Sequence, residues 1–349
     1  MEPTPANMKA AHRLMAQVQA AIAAGVYEPA MFFPKPGQEA KTSFRDFGDQ
    51  WLETLTAERS TRRSYKTALN ATWYPAFGDK PLTQIRHSDI AKAIAAKVKA
   101  GATGKTVNNH LVALRGVLEM AKADGVIEAS PAAAIGNLPH QAAQPDPLDH
   151  DEMALVLARM AQRFDPQVSN YFTFSFNTGM RPSEVIALRW VNIDFRRKRA
   201  LVDAARVDWE AKGTKTGKVR EINLNEAAMA ALTSQKDYTF LAGEEVFHNP
   251  NTGKPWADEQ VQRRRYWSPT LKALGIRHRD AYQTRHTYAS LLLTGGSNPA
   301  WIAKQLGHAD ITTTLRVYAR WIESADNGAE AAKANAILSN NRPRQRNES

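Results

Sequence analysis

Four stretches in the C-terminal half carry side chains able to hold and attack an anionic group. NTGMRPSEVIALRW (177–190) passes from turn residues into a helix whose mouth carries Arg181, with Glu184 one turn on. A cation is disfavoured there, because the backbone dipole already concentrates positive charge at a helix N-terminus. Either an anion sits in front of the guanidinium or it points into water. AKGTKTGKVREINL (211–224) is a lysine-rich turn, with Lys212, Lys215 and Lys218, leading into a strand. YQTRHTYASLLLTGG (282–296) carries Tyr282, Arg285 and His286, and IAKQLGHADITTTLRVYARW (302–321) carries His308 and Tyr318. Guanidinium groups stay protonated and offer planar paired donors to phosphate or carboxylate. A phenol, with a pKa of about 10, is acidic for a hydroxyl. Singly, each residue has an ordinary reading: a solvated helix start, a charged hairpin tip, a helix face, a helix cap, a half-buried aromatic beside Trp321.

Jointly they have a recognisable order: Arg, a hairpin Lys, a helix-borne Arg, Leu-Gly-His, then Tyr ten positions after the His. This order resembles the tyrosine recombinase family, the phage-type integrases. TGMRPSEVIALRW is similar to the family's first arginine box, QTRHTYAS to its second, and QLGHADITTTLRVY to its Gly-His and nucleophile box. The resemblance spans roughly residues 42–325. It implies a mainly α fold with a small antiparallel sheet (α+β), a helical core-binding domain followed by the catalytic domain. The implied activity is a site-specific DNA recombinase that cleaves and rejoins DNA through a 3′-phosphotyrosine, without metal, ATP or other cofactor. Arg181 and Arg285 fall at the phosphate-clamping arginines and Lys215 at the hairpin lysine, with Lys212 and Lys218 as fallbacks. His308 falls at the second histidine, Tyr318 at the nucleophile, and Glu184 at the acid that supports the first arginine. One position departs from the pattern: the family commonly has His three residues before the second arginine, where this chain has Tyr282. The group that deprotonates Tyr318 is therefore open between His286 and the Tyr282 hydroxyl.

The implied chemistry suits these groups. In-line attack on a phosphodiester builds charge on the non-bridging oxygens, and donors aimed there are usually the largest catalytic term. A tyrosyl phosphodiester keeps the bond energy for rejoining. The leaving 5′-oxygen needs a proton, which a lysine on a hairpin can supply.

The elements that must position these residues are legible too. A helix, MKAAHRLMAQVQAAIAAGVY, and a Pro- and Gly-punctuated linker occupy residues 1–41, as though the family's arm-binding domain were shortened. Residues 42–140 read as four helices: TSFRDFGDQWLETL, with Phe44, Phe47, Trp51 and Leu52 on one stripe; STRRSYKTALNATWYPAFG; RHSDIAKAIAAKVKAG; and TVNNHLVALRGVLEMAKADGVI, with Val107, Leu111, Leu114, Leu118 and Ala121 at helical spacing. Arg59, Arg62, Arg63 and Lys66 form a basic cluster suited to a DNA backbone, and this module would close on the duplex face opposite the catalytic domain. Residues 141–149 read as a linker. In the catalytic domain, 150–326, helices over about 150–163, 167–177 and 182–190 precede the strands RALVDA, VDWEA and VREINL, and helices then return. Residues 327–349 are a tail.

Composition agrees. With 349 residues the chain has room for two or three domains. A formal charge of +11 fits a polyanionic partner. The absence of cysteine excludes disulfides, thiol catalysis and Cys-based zinc sites, and no H-x-x-x-H spacing suggests another metal site. No apolar run suggests export or membrane spanning, so the expectation is a cytoplasmic, nucleoid-associated protein. KAGATGKT is not a phosphate-binding loop, because Lys99 occupies the first glycine position and no strand precedes it. The HRD at 278–280 lacks the Asn of a kinase loop, that position being Arg285. The expected partners are double-stranded DNA with a specific site, three further copies in a homotetramer on DNA, and accessory DNA-bending or directionality proteins. A type IB topoisomerase-like relaxing enzyme and a non-catalytic DNA-binding integrase relative are the alternatives.

Overall fold

The computed structural model describes residues 5–32, 42–141, 144–207, 210–213, 219–325 and 329–339. The chain divides into two compact units, residues 1–141 and 142–349.

In the first unit, α1 (Pro5–Ala23) and the short α2 (Pro29–Phe32) precede α3 (Phe44–Thr54), α4 (Arg59–Ala68), α5 (Tyr74–Phe77), α6 (His87–Lys99) and α7 (Gly104–Ala123). Ser43 caps α3 by accepting from the Asp46 amide at 3.1 Å, and Thr103 caps α7 in the same way from Thr106 at 3.2 Å. The stripe Phe44, Phe47, Trp51 and Leu52 is buried, as are Val107, Leu111, Leu114, Leu118 and Ala121 of α7. Both sets join one core with Trp73 and Phe77. The second expected helix, 60–78, is not continuous. It widens into a π turn at Leu69–Trp73 before restarting as α5. Pro75 cannot donate to the preceding turn, and the wider turn accommodates it. The exit from this unit is tied down by Asn108, whose side chain donates to the Leu138 carbonyl and accepts from its amide, both at 2.8 Å.

The second unit contains α8 (His150–Arg163), α9 (Pro166–Thr178) and α10 (Pro182–Val185), then β1 (Ile193–Asp194), β2 (Arg199–Val202), β3 (Ala204–Val207), β4 (Glu210–Gly213) and β5 (Arg220–Asn223). After these come α11 (Glu226–Thr239), β6 (His248–Asn249), β7 (Lys254–Pro255), α12 (Gln260–Gln262), α13 (Ser268–Ala273), α14 (Gln283–Thr294), α15 (Pro299–Leu306), α16 (Ile311–Ala325) and α17 (Ala329–Ser339). The fold is mainly α with small antiparallel sheets: β1-β2-β5, the ribbon β3-β4, and β6-β7. Ala200 and Val202 of β2 and Ile222 of β5 turn inward onto a core built around Phe172, Phe174, Phe247 and Trp267.

Two sequence expectations are corrected here. The helix expected over 182–190 stops at Val185. The backbone of 188–190 is taken up instead by an extended segment: Leu188 accepts from Val246, Trp190 donates to Glu244, and Arg189 bridges Glu245. Of VDWEA, Val207 belongs to β3 and Glu210 and Ala211 to β4, which pair antiparallel with Val207 opposite Glu210, while Asp208 and Trp209 lie outside the described residues. The hairpin β6-β7 was not anticipated. Residues 144–149, read as linker, have no regular secondary structure but pack on the second unit. The Asp146 amide donates to Gln283 at 3.0 Å, the Leu148 amide to Thr287 at 2.9 Å, and Leu148 is buried.

Gly116 lies inside α7 against Trp51, and an added Cβ would stand 2.3 Å from Trp51 Cζ2. Gly116→Ala gains up to about 1 kcal/mol of helix propensity, yet overpacking typically costs about 1–3 kcal/mol. The expected outcome of denaturant unfolding is a net loss of stability, contradicted by an unchanged or raised midpoint.

Candidate active site

The site begins where α9 ends. Gly179 adopts φ +62°, and a Cβ there would lie 2.5 Å from the Tyr288 ring. The chain then turns through buried Met180 into Arg181, the N-cap of α10, with Pro182 in the first helical position. Glu184, 1% exposed, closes back on this turn, accepting from the Arg181 amide at 2.9 Å and from Arg181 Nη1 at 2.8 Å. The anion that Arg181 demands is thus first an internal carboxylate. Glu184 is shared, because Arg220 at the start of β5 donates to its two oxygens at 3.0 and 2.7 Å. Burial would raise the Glu184 carboxyl, but Arg220 and Arg181 overcome this and hold it at about 2. Burial likewise disfavours the charge on Arg181, and Glu184 with nearby Tyr282 outweighs it.

Arg285, on the first turn of α14, is 1% exposed. Its Nη1 donates to the Gly179 carbonyl at 2.8 Å, while Nη2 is buried without a partner among the described residues. Burial lowers its pKa to about 10, which still leaves it charged at neutral pH. Arg181, Arg220 and Arg285 against Glu184 alone leave two positive charges unbalanced among these four side chains. A buried guanidinium with an unused donor is costly, and an incoming anion relieves that cost.

The remaining groups come from the last helices. α15 ends at Gly307, φ +69°, which delivers His308. The His308 Nδ1 meets the hydroxyl of buried Thr314 at 2.6 Å, so Nε2 is the nitrogen left for another partner. Tyr318 interrupts α16 with φ −119° and ψ 15°, and its side chain is 1% exposed. Its hydroxyl lies 2.7 Å from His286 Nδ1, and its ring packs on His286 and Trp321. Burial pushes the Tyr318 phenol up, partly offset by the field of Arg285. Tyr282, 37% exposed, precedes α14 and stacks edge-on to His286 with centroids 5.3 Å apart. Burial first, and then the Arg285 charge, lowers both His286 and His308 to about 4.

Arg181, Glu184, Tyr282, Arg285, His286, His308 and Tyr318 therefore share one neighbourhood. Lys215 and Lys218 lie outside the described residues. Lys212 is on β4 opposite Ala205. Arg59, Arg62, Arg63 and Lys66 all sit on α4 of the first unit and are exposed, with Arg62 donating to the Leu55 carbonyl at 2.7 Å. Sequence reasoning missed Arg220 and Thr314. A signal for Arg220 existed: strand alternation puts it on the same face as buried Ile222 and Leu224. Among the described residues no group of three or more His, Cys, Asp or Glu is placed to hold a metal ion, and no helix is long and apolar enough to cross a membrane.

Neutral burial of two histidines makes stability depend on pH. Their folded pKa of about 4 lies below the ordinary 6.5, so the unfolded chain binds more protons between those values. Stability is fully present above about pH 6.5 and is lost as pH falls toward 4. Denaturant midpoints at pH 7 and pH 4.5 test this. The wild-type drop should shrink in a His286→Asn/His308→Asn variant, and an equal drop in both would contradict it.

The chain resembles known proteins in both sequence and fold. The sequence model of the phage integrase family matches residues 147–324, and that of a phage integrase N-terminal SAM-like domain matches 49–125. IntQ of Escherichia coli K12, named a defective protein, is 31% identical over 72% of this chain and 68% of its own length. The prophage integrase IntR of the same strain is 27% identical over 97% of this chain and 92% of its own. The tyrosine recombinase XerC of Xanthomonas campestris pv. campestris is 28% identical over 80% of this chain and 84% of its own. Among solved structures, the Tn1549 transposon integrase in complex with a circular intermediate DNA superposes with a TM-score of 0.67 at 19% identity, over 85% of this chain and 99% of that one. A lambda integrase tetramer bound to a Holliday junction gives 0.65 at 18%, over 84% and 87%. These structural likenesses speak to the fold, and the sequence matches to kinship: the chain belongs to the phage integrase family of tyrosine recombinases.

Proposed function

We propose that this chain cleaves and rejoins double-stranded DNA at a specific site through a 3′-phosphotyrosine formed by Tyr318, without metal or nucleoside triphosphate. The observation that carries the reading is the Tyr318 hydroxyl, 2.7 Å from neutral His286 and within the field of Arg285, whose Nη2 has no partner among the described residues. In this reading the scissile phosphate takes the anion position left open by the unbalanced guanidinium groups. Arg181 and Arg285 donate to its non-bridging oxygens, which gain charge as the phenol oxygen attacks. His308, its Nδ1 turned to Thr314, offers Nε2–H to the same oxygens. The Tyr318 oxygen bonds to phosphorus, the bond to the 5′-oxygen breaks, and the phenol proton passes to His286 Nδ1. Lys215 donates to the departing 5′-oxygen, with Lys212 and Lys218 as the other candidates. Attack by a 5′-hydroxyl of the same or another strand reverses the step.

The domain assignments belong to the same proposal: a helical DNA-binding domain over 42–140, a linker over 141–149, a catalytic domain over 150–326 and a tail over 327–349, with residues 1–41 ahead of them. Arg59, Arg62, Arg63 and Lys66 would contribute sequence-independent backbone contacts. Strand exchange between two duplexes calls for four copies, in keeping with the lambda integrase tetramer, along with accessory DNA-bending proteins.

A nicked suicide DNA tests the nucleophile. Tyr318→Phe should abolish covalent capture while leaving DNA affinity within about 3-fold; capture at the normal rate by this variant would remove Tyr318 from the reaction. A pH series tests the proton acceptor. With His286 neutral above about 4, capture by the wild type should be flat from about pH 5.5 to 8. In His286→Asn the phenol must ionise without help, so capture should be slower by about 10²-fold at pH 7 and rise with pH. A flat profile in the variant at the wild-type rate would exclude His286 as the acceptor.

A further inference from the structure

We propose that Arg220 is a positioning residue for cleavage: it fixes the Glu184 carboxylate behind Arg181 and the backbone leading into His308, and so sets the spacing of the phosphate-holding groups. The inference rests on the function proposed above and extends it to a residue outside its chemistry.

Arg220 uses its whole fork. Nη1 and Nη2 take the two oxygens of Glu184, and Nε donates to the Gln305 carbonyl at 3.0 Å. Glu184 and Gln305 lie on different elements, α10 and α15, at the two ends of the site. Two residues beyond Gln305, Gly307 presents bare backbone to the same guanidinium: a Cβ there would lie 2.7 Å from Arg220 Cδ and 2.8 Å from Nε. The glycine thus serves both the left-handed turn and the close approach of Arg220. A second bond braces the joint, since the Gln305 side chain accepts from the Asn223 amide of β5 at 3.0 Å.

The arrangement is more than charge balance. Glu184 already has Arg181 as a partner, and a buried ion pair alone contributes little net stability compared with apolar packing. A second guanidinium, its side chain 10% exposed, adds desolvation cost that only well-directed bonds offset. Three directed bonds from one rigid plane to two elements specify distance and angle, which a flexible ammonium could not do. Arg220 also opens β5, the strand that follows the lysine-rich segment in sequence.

The test is single-turnover capture of suicide DNA with the full-length enzyme in saturating excess, so that the rate constant does not report the folded fraction. Arg220→Gln and Arg220→Lys are compared with wild type, Glu184→Gln and the double variant Glu184→Gln/Arg220→Gln. The expected result for Arg220→Gln is capture slowed on the order of 10–100-fold, DNA affinity within about 3-fold, and partial recovery in Arg220→Lys. The double variant should be no slower than Glu184→Gln alone, because both changes break one link. Multiplying losses, an affinity falling in step with the rate, or an unchanged rate would each overturn the proposal. Should Arg220→Gln prove insoluble, Arg220→Lys with Glu184→Gln forms the same cycle. Wild-type capture that Tyr318→Phe abolishes, with Arg220 variants unaffected, sinks this inference alone; absence of wild-type capture sinks the reading beneath it.

Discussion

The catalytic unit is organised around one buried carboxylate. Glu184 is almost wholly out of water, where an unpaired charge would be prohibitive. It is tolerable because two guanidinium groups and a backbone amide converge on it. That convergence has a structural consequence. Arg181 is tied to the carboxylate, α10 is capped by its own third residue, and β5 is bound to α10. It also has an electrostatic consequence. One acid shared by two bases, with Arg285 beside them, leaves a neighbourhood that is positive by construction. The fold carries the cost of that imbalance in the absence of ligand, and a phosphodiester is an anion of the right shape to relieve it.

The same low-dielectric surroundings settle the protonation of the other groups. Burial and nearby guanidinium charge keep His286 and His308 neutral at physiological pH. A neutral imidazole can accept a proton from the Tyr318 hydroxyl it touches, and another can donate from Nε2 while Thr314 occupies Nδ1. Arginine is not at risk of losing its proton even at a pKa near 10. One environment thus separates groups that carry charge from groups that move protons. In the proposed reaction this division lets a tyrosine, rather than a bound water, become the attacking group.

Geometry is held by small residues as much as by charged ones. Gly179 and Gly307 both adopt left-handed backbone, and both lie where a methyl would strike a neighbour, the Tyr288 ring in one case and Arg220 in the other. They end α9 and α15 so that the next residues, leading to Arg181 and His308, enter the site directly. The departure from helical angles at Tyr318 does the same within α16, letting one residue turn toward His286 while its flanking turns stay helical.

Much of this was legible in the chain. Apolar spacing located the core of the first unit down to individual residues, because a helix must bury one stripe. The identities and order of Arg181, Arg285, His308 and Tyr318 pointed to phosphoryl chemistry through their resemblance to the tyrosine recombinase family. Where backbone was claimed by distant partners, local pattern failed: the helix expected to reach residue 190 ends early because 188–190 pair with 244–246, and a proline split another. Tyr282 and His286 could not be ranked as partners of Tyr318 from spacing, since 32 residues separate His286 from Tyr318 and only packing brings them to 2.7 Å. Arg220 was overlooked because its partners lie 36 and 85 residues away. The sequence alone determined which chemical groups are present and which periodic faces must be buried, since those follow from side-chain type and local repeat. Tertiary structure alone decided which charges share a carboxylate, which imidazole meets the phenol and which donor is left unpaired, because those depend on distances through space between elements that no local rule connects.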